Sequence, residues 1–233
     1  MSEIFVALDT DDSVKAVKFA QKVAGKIDGF KIGLELFCSG GPEIVRKIAD
    51  FGKVFLDLKF HDIPNTMTKA SLKVAKLPIF MFNVHALAGY EAMKSVCDEV
   101  RKQNDTVKII AVTMLTSFNK ETMEQTGIKA DSVFDQVIRL AEMTQKSGLN
   151  GVVCSPHEVT EIKKICGKDF MTVVPGIRPA EAEINDQKRV ATPSVAKKNG
   201  ADILIIGRPI YQANEPLAVI ESIRKDMEET HAG

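Results

Sequence analysis

Short apolar and β-branched runs alternate along the chain with stretches of helical period. The runs are Ile4–Leu8, Gly29–Gly33, Lys53–Leu58, Ile79–Val84, Val107–Val112, Gly151–Cys154, Met171–Val174 and Asp202–Ile206, which makes eight candidate strands. Their nearly continuous hydrophobicity suits strands covered on both faces, as in a parallel sheet. In the first intervening stretch Val14, Val17, Ala20, Val23, Ala24 and Ile27 form an apolar stripe. Lys15, Lys18, Lys22 and Lys26 form the other face, read as a solvated helix surface rather than an anion-binding patch. Further on, Phe134, Val137, Ile138 and Ala141 share a helix face, with Asp131 or Ser132 as its start and Gly148 as its stop. A last helix is predicted from about Glu215 to Glu229.

Eight strand–helix pairs in 233 residues predict an α/β fold, a single (β/α)8 TIM barrel with residues 1–233 as one domain. A doubly wound open sheet is the alternative. The eightfold count and the lack of GxGxxG after the first strand disfavour it.

Composition narrows the class without naming a function. Apolar residues are 45% and charged residues 27% of the chain, the balance of a soluble globular protein. Thirty-one basic and 31 acidic side chains cancel, so bulk charge suggests neither nucleic acid nor an anionic membrane as partner. An anionic ligand must then be held by local charge. Cys38, Cys97, Cys154 and Cys166 show no CxxC pair and read as reduced thiols. The opening Met-Ser-Glu-Ile-Phe-Val lacks the basic flank and apolar core of a signal peptide, and no apolar run nears the roughly 18 residues of a membrane span. The expected location is the cytoplasm.

In a barrel the C-terminal strand ends converge on one site. Those positions are Asp9, Lys31, Asp57-Leu58-Lys59, His85, Thr116-Ser117, Arg178 and Gly207-Arg208. Asp57 and Lys59 are two apart and face the same side of a strand, with Asp9 and Lys31 on its neighbours. A buried ion-pair network holding strands together would explain such an array, but buried ion pairs give little net stability. A reactive site is the better explanation. Gly207-Arg208 after the eighth strand suits a phosphate, with glycine admitting the anion and arginine clamping it. Two long polar stretches, Ser117–Ala130 and Arg178–Arg189, follow strands five and seven and read as lid or binding loops. His61, Asp62 and His85 raise the thought of a metal. Two lysines among the carboxylates do not suit a hard cation, and no His/Cys cluster is at hand for zinc.

Asp57-Leu58-Lys59-Phe60-His61-Asp62-Ile63-Pro64-Asn65-Thr66 closely resembles the signature of the orotidine 5'-monophosphate decarboxylase family. Its DxKxxD core is shared with a wider suprafamily of barrels, and the Ile-Pro-Asn-Thr extension narrows the choice. Ala7-Leu8-Asp9, Phe30-Lys31-Ile32-Gly33, Leu115-Thr116-Ser117, Pro175-Gly176-Ile177-Arg178-Pro179 and Ile206-Gly207-Arg208-Pro209-Ile210 extend the likeness over nearly the whole chain.

The resemblance implies a carboxy-lyase that converts orotidine 5'-monophosphate to uridine 5'-monophosphate without metal or organic cofactor. It makes Lys59 the proton donor to C6 and sets Asp57 beside the departing carboxylate. Lys31 and Asp9 complete the charged array and reach the ribose. It implies a homodimer in which Asp62 and Thr66 reach the neighbour's site. Thr116 and Ser117 would lie at the pyrimidine, with Ser117 reading its amide edge. Gln187, Gly207 and Arg208 would hold the phosphate, with Arg178 at the base of a lid. Two alternatives stay open: a magnesium-dependent sugar-phosphate decarboxylase or aldolase of the same suprafamily, against which Lys31 counts, and a non-catalytic phosphate-binding barrel.

Overall fold

A computed structural model describes residues 2–179 and 191–229. Eight parallel strands close into a barrel in sequence order. They are β1 (Glu3–Ala7), β2 (Gly29–Ile32), β3 (Lys53–Phe60), β4 (Met81–His85), β5 (Lys108–Val112), β6 (Gly151–Val153), β7 (Met171–Val174) and β8 (Ile203–Ile206). Each lies within two residues of its predicted run. The helices are α1 (Ser13–Val23), α2 (Leu34–Ala49), α3 (Pro64–Val74), α4 (Tyr90–Gln103), α5 (Lys120–Gln125), α6 (Val133–Lys146), α7 (Val159–Cys166), α8 (Pro193–Lys198), α9 (Arg208–Tyr211) and α10 (Pro216–Glu229). No helix among the described residues is long and apolar enough to cross a membrane.

Side-chain alternation divides the core in two. Phe5, Ala7, Phe55, Met81, Ile110, Val173, Ile203 and Ile205 fill the barrel interior. The intervening positions, such as Ile4, Val6, Leu56, Phe82 and Leu204, pack outward against the helices. Two glycines make the interior packing possible. A Cβ on Gly29 would lie 2.7 Å from the Phe5 ring, and one on Gly151 only 2.1 Å from the Met171 carbonyl oxygen. Following the inward parity toward the C-terminal ends leads from this apolar plug straight to Asp9, Lys31, Asp57, Asn83 and Gly207.

Local signals account for the helix ends. Asp12 caps α1 by accepting from the amides of Val14 and Lys15, both at 2.9 Å. Ser132 is the cap of α6, and Gly148 follows that helix with φ +87°. The predicted stripes need adjusting at their N-terminal edges, where Val14 and Phe134 are exposed. The stretch 117–130 is not all loop. Asn119 accepts from the Thr122 amide at 2.9 Å and starts α5, a single short helix.

Gly151→Ala should destabilise the barrel by about 2–3 kcal/mol through overpacking against Met171. That corresponds to a fall in Tm of roughly 4–12 °C for a chain of this size. Thermal denaturation checks it, and an unchanged Tm would count against the β6–β7 approach.

Candidate active site

The barrel mouth holds a cavity of about 510 Å3 lined by Asp9, Lys31, Asp57, Lys59, Thr116, Arg178, Gly207 and Arg208 among others. That volume falls within the range of small-molecule sites. Across it runs a continuous chain of opposite charges. Asp9 Oδ1 lies 3.0 Å from Lys31 Nζ, Lys31 Nζ 3.6 Å from Asp57 Oδ2, and Asp57 Oδ1 2.7 Å from Lys59 Nζ. Side-chain exposure rises from 11% at Asp57 and 13% at Lys31 to 32% at Lys59 and 53% at Asp9. The centre of the array is therefore dry and its ends are wet.

The electrostatics follow from that gradient. Burial by itself opposes ionisation of Asp57. The charges of Lys31 and Lys59, with hydrogen bonds from Lys59 and Asn83, outweigh it and hold the carboxyl below its ordinary range. Burial likewise works against the Lys31 ammonium, yet Asp57 and Asp9 together raise it above the usual lysine value. Across ordinary pH both stay charged.

β3 does not reach Lys59 as a regular strand. Leu56 pairs with Phe82 and Phe60 with Val84, so four steps along β3 match two along β4. The excess is taken up as a bulge at residues 57–59, and Lys59 adopts φ +52°, the one positive φ at a non-glycine among the described residues. A lysine in this conformation costs on the order of 1 kcal/mol. Equal spacing thus predicts the right neighbours, while the geometry that joins them is a kink.

The reading of charged strand ends passes over Asn83, an inward position two residues beyond Met81 that is fully buried on β4. Its Oδ1 accepts from the Lys59 backbone N–H at 2.7 Å, and its Nδ2 donates to Asp57 Oδ1 at 2.6 Å. A neutral amide inside an apolar strand carries no sequence signal of its own. Tyr211 and Gln212 at the end of α9 are further lining residues that the motif reading passed over.

The other expected residues divide clearly. Thr116, Arg178, Gly207 and Arg208 line the cavity. A Cβ at Gly207 would sit 3.2 Å from Asp9 Oδ2, so the glycine admits close approach between β8 and the array. Arg178 is buried, and its backbone N–H donates to Ala191 O at 2.9 Å, pinning the two ends of the intervening segment together. Ser117 is exposed and does not line the cavity. Asp62 and Thr66 are exposed too, and Asp62 Oδ1 accepts from the Ile63 amide at 2.7 Å instead of joining its own chain's array. Gln187 lies outside the described residues.

The family model described as orotidine 5'-phosphate decarboxylase / HUMPS matches residues 2–223. The chain belongs to this family. It is 46% identical to orotidine 5'-phosphate decarboxylase of Geobacter metallireducens, covering 95% of this chain and 94% of that protein. Identity to the same-named protein of Syntrophomonas wolfei is 43%, over 97% and 98%. The crystal structure of orotidine 5'-phosphate decarboxylase from Lactobacillus acidophilus superposes with a TM-score of 0.85 at 36% identity, covering 97% of this chain and 99% of that one.

Within this orotidine 5'-phosphate decarboxylase / HUMPS family member the donors around the cavity do not gather as a metal shell. Among the described residues no three His, Cys, Asp or Glu side chains converge. Lys31 stands between Asp9 and Asp57, where a cation shared by those carboxylates would have to sit. Beside the array, His61 and His85 stack with centroids 5.2 Å apart. His85 Nδ1 accepts from the Leu87 amide at 3.3 Å, which leaves Nε2 to carry the proton.

Burial first, then the neighbouring His61 and Lys59, push the His85 imidazolium down to about 4. An NMR titration should therefore show the His85 ring titrating near pH 4, and moving up in Lys59→Ala. An unfolded chain takes up this proton near 6.5. The fold should accordingly lose stability as pH falls from about 6.5 toward 4. A His85 midpoint near 6.5 would contradict this environment.

Proposed function

We propose that the cavity decarboxylates orotidine 5'-monophosphate to uridine 5'-monophosphate and carbon dioxide, the last step of de novo pyrimidine nucleotide synthesis, with no metal or organic cofactor. Family membership supports the carboxy-lyase class. The observation that carries the chemistry is the Asp9–Lys31–Asp57–Lys59 array, with its ammonium and carboxylate groups alternating at fixed distances.

In the proposed reaction the bond from C6 to the substrate carboxylate breaks and its electron pair stays on C6. Lys59 passes a proton from Nζ to that carbon, giving the C6–H bond of the product, and regains a proton from water. No cofactor acts as an electron sink, so charge developing at C6 must be met by an ammonium already in place. Such preorganised electrostatics help most where charge appears in the transition state. Asp57 aims Lys59 and lies beside the departing carboxylate, where repulsion in the bound state eases as carbon dioxide leaves. Lys31 holds Asp57 on its other oxygen, and Asp9 at the wet end meets the ribose.

Gln187, Gly207 and Arg208 take the phosphate end, with Arg178 at the base of a lid. Binding energy gained there is available to orient the reacting carbon although the phosphate does no chemistry. Thr116 faces the pyrimidine, and Ser117, one position beyond the cavity wall, would read its amide edge once the segment after β5 turns inward over the substrate. The active form is a homodimer in which Asp62 and Thr66 extend to the partner's cavity. Two features support the dimer: Asp62 and Thr66 are exposed and do not line their own chain's cavity, and Leu34, Ile63 and Leu87 leave apolar surface exposed just beyond strands two, three and four. The magnesium-dependent sugar-phosphate reading is disfavoured by the Lys31 ammonium between the two carboxylates.

Ultraviolet absorbance of orotidine 5'-monophosphate mixed with the protein in EDTA should decay to the uridine monophosphate spectrum, and Lys59→Ala should remove that decay. Decay only after magnesium is added would favour the metal-dependent relatives, and no decay under either condition would sink a decarboxylase.

The shared site has its own test. Lys59→Ala and Asp62→Ala should each be nearly inactive alone. Mixed and allowed to exchange subunits, they should recover about a quarter of the parental activity, because half the dimers pair the two variants and each of those holds one intact site. No recovery after demonstrated exchange would place Asp62 in its own chain's site or outside the chemistry.

A further inference from the structure

Asn83 sits where the two central members of the array meet, although it carries no charge and lines no part of the cavity. Its amide bonds both of them: the oxygen accepts from the Lys59 backbone N–H and the nitrogen donates to the Asp57 carboxylate. Both bonds are short and wholly sheltered from water, since Asn83 is 0% exposed. The first satisfies the amide that the β3 bulge removes from the strand ladder, where an unpaired buried N–H is costly. The second fixes the same Asp57 oxygen that Lys59 Nζ contacts at 2.7 Å.

We infer that Asn83 is a positioning residue for the decarboxylation: by bonding Lys59 through its main chain and Asp57 through its side chain, it holds the bulged strand in the one conformation that brings ammonium and carboxylate together. The inference rests on the decarboxylase reading given above. Without the acceptor, Lys59 loses the main-chain bond that holds it at φ +52°, only the ion pair with Asp57 opposes relaxation, and a return toward an ordinary strand value swings the side chain away from that carboxylate. Without the donor, Asp57 keeps its charge partners but loses the neutral group that sets the carboxylate plane.

The role demands a donor on one side and an acceptor on the other. Aspartate at position 83 supplies both only while it carries a proton, since ionised it accepts alone and turns a second negative charge toward Asp57. The charged and titratable groups around that point are Asp57 and Lys59 on β3, Lys31 on β2, Asp9 beyond β1, His61 beyond β3 and His85 on β4.

The test is steady-state turnover of orotidine 5'-monophosphate by the parent, Asn83→Ala and Asn83→Asp across the pH range in which all three remain folded by circular dichroism. Asn83→Ala should lower kcat roughly 10- to 100-fold, the equivalent of losing hydrogen bonds to charged groups, while KM changes far less. Asn83→Asp should approach the parent at low pH, where the new carboxyl is protonated and mimics the amide, and fall away as it ionises. Should Asn83→Ala fail to fold, the pH dependence of Asn83→Asp carries the test alone. A ratio of Asn83→Asp to parent that is flat with pH, or an Asn83→Ala kcat within threefold of the parent, would overturn the inference. A parent with no turnover at all would instead remove the decarboxylase reading, and this inference with it.

Discussion

The burial of the Asp57 carboxylate between two ammonium groups is the constraint on which the site depends. A carboxylate with 11% side-chain exposure is expensive to ionise unless its partners are close and fixed. Lys31 comes from the neighbouring strand, and β2–β3 pairing sets Lys31 beside Phe55, one inward position before Asp57. A slip of one residue in that register would turn Lys31 to the helix side and strand Asp57 with a single partner. The apolar plug of Phe5, Phe55, Met81 and Ile205 under the array fixes the register, because the same alternation that buries those side chains aims the charged ones at the mouth. Core packing and site geometry are thus one requirement expressed at two levels of the barrel.

Lys59 shows why regular structure alone does not complete the array. On an even strand its side chain would share a face with Asp57 at an ordinary two-residue separation, with nothing to close the gap to a hydrogen bond. The bulge against β4 and the left-handed backbone at Lys59 bring Nζ to 2.7 Å from the carboxylate. Strain of this kind persists only where surroundings hold it. Here the surroundings are a buried amide and two opposite charges.

Much of this was legible in the sequence because it rests on periodicity and charge. Eight apolar runs announce a parallel barrel, and Asp9, Lys31, Asp57 and Lys59 stand out as charges at the ends of runs that otherwise bury everything. Gly207-Arg208 is visible for the same reason. Asn83 was not legible: an asparagine between Phe82 and Val84 reads as one polar position in a strand, and its meaning comes from cross-strand register that no local window contains. Nor does a lysine advertise positive φ, as a glycine would. The helix α5 inside the polar stretch after β5 was hidden because it buries only Met123 and so has little apolar stripe to show. Ser117 illustrates the reverse, a motif residue that the chain alone leaves in solvent one position beyond the cavity wall.

The proposed chemistry divides the barrel mouth between two tasks. The array on strands one to three holds two positive and two negative side chains and has no net charge with which to attract an anion. On that proposal attraction falls to the arginine wall, Arg208 beyond strand eight with Arg178 beside it beyond strand seven. The two walls meet where Gly207 faces Asp9, since closure of the barrel makes β8 the neighbour of β1. In the proposed reaction a nucleotide held by its phosphate at the arginine wall would be led across that seam toward carboxylates that do not welcome its own carboxylate. The favourable contact and the unfavourable one are thus felt by opposite ends of a single molecule. Loss of carbon dioxide removes the unfavourable one and leaves the favourable one intact, which is the differential binding a decarboxylase without a cofactor requires. An array built of cations alone would bind the substrate carboxylate more tightly and release that advantage in the wrong direction. Alternating signs, costly as they are to bury, are what allow the site to favour the departure.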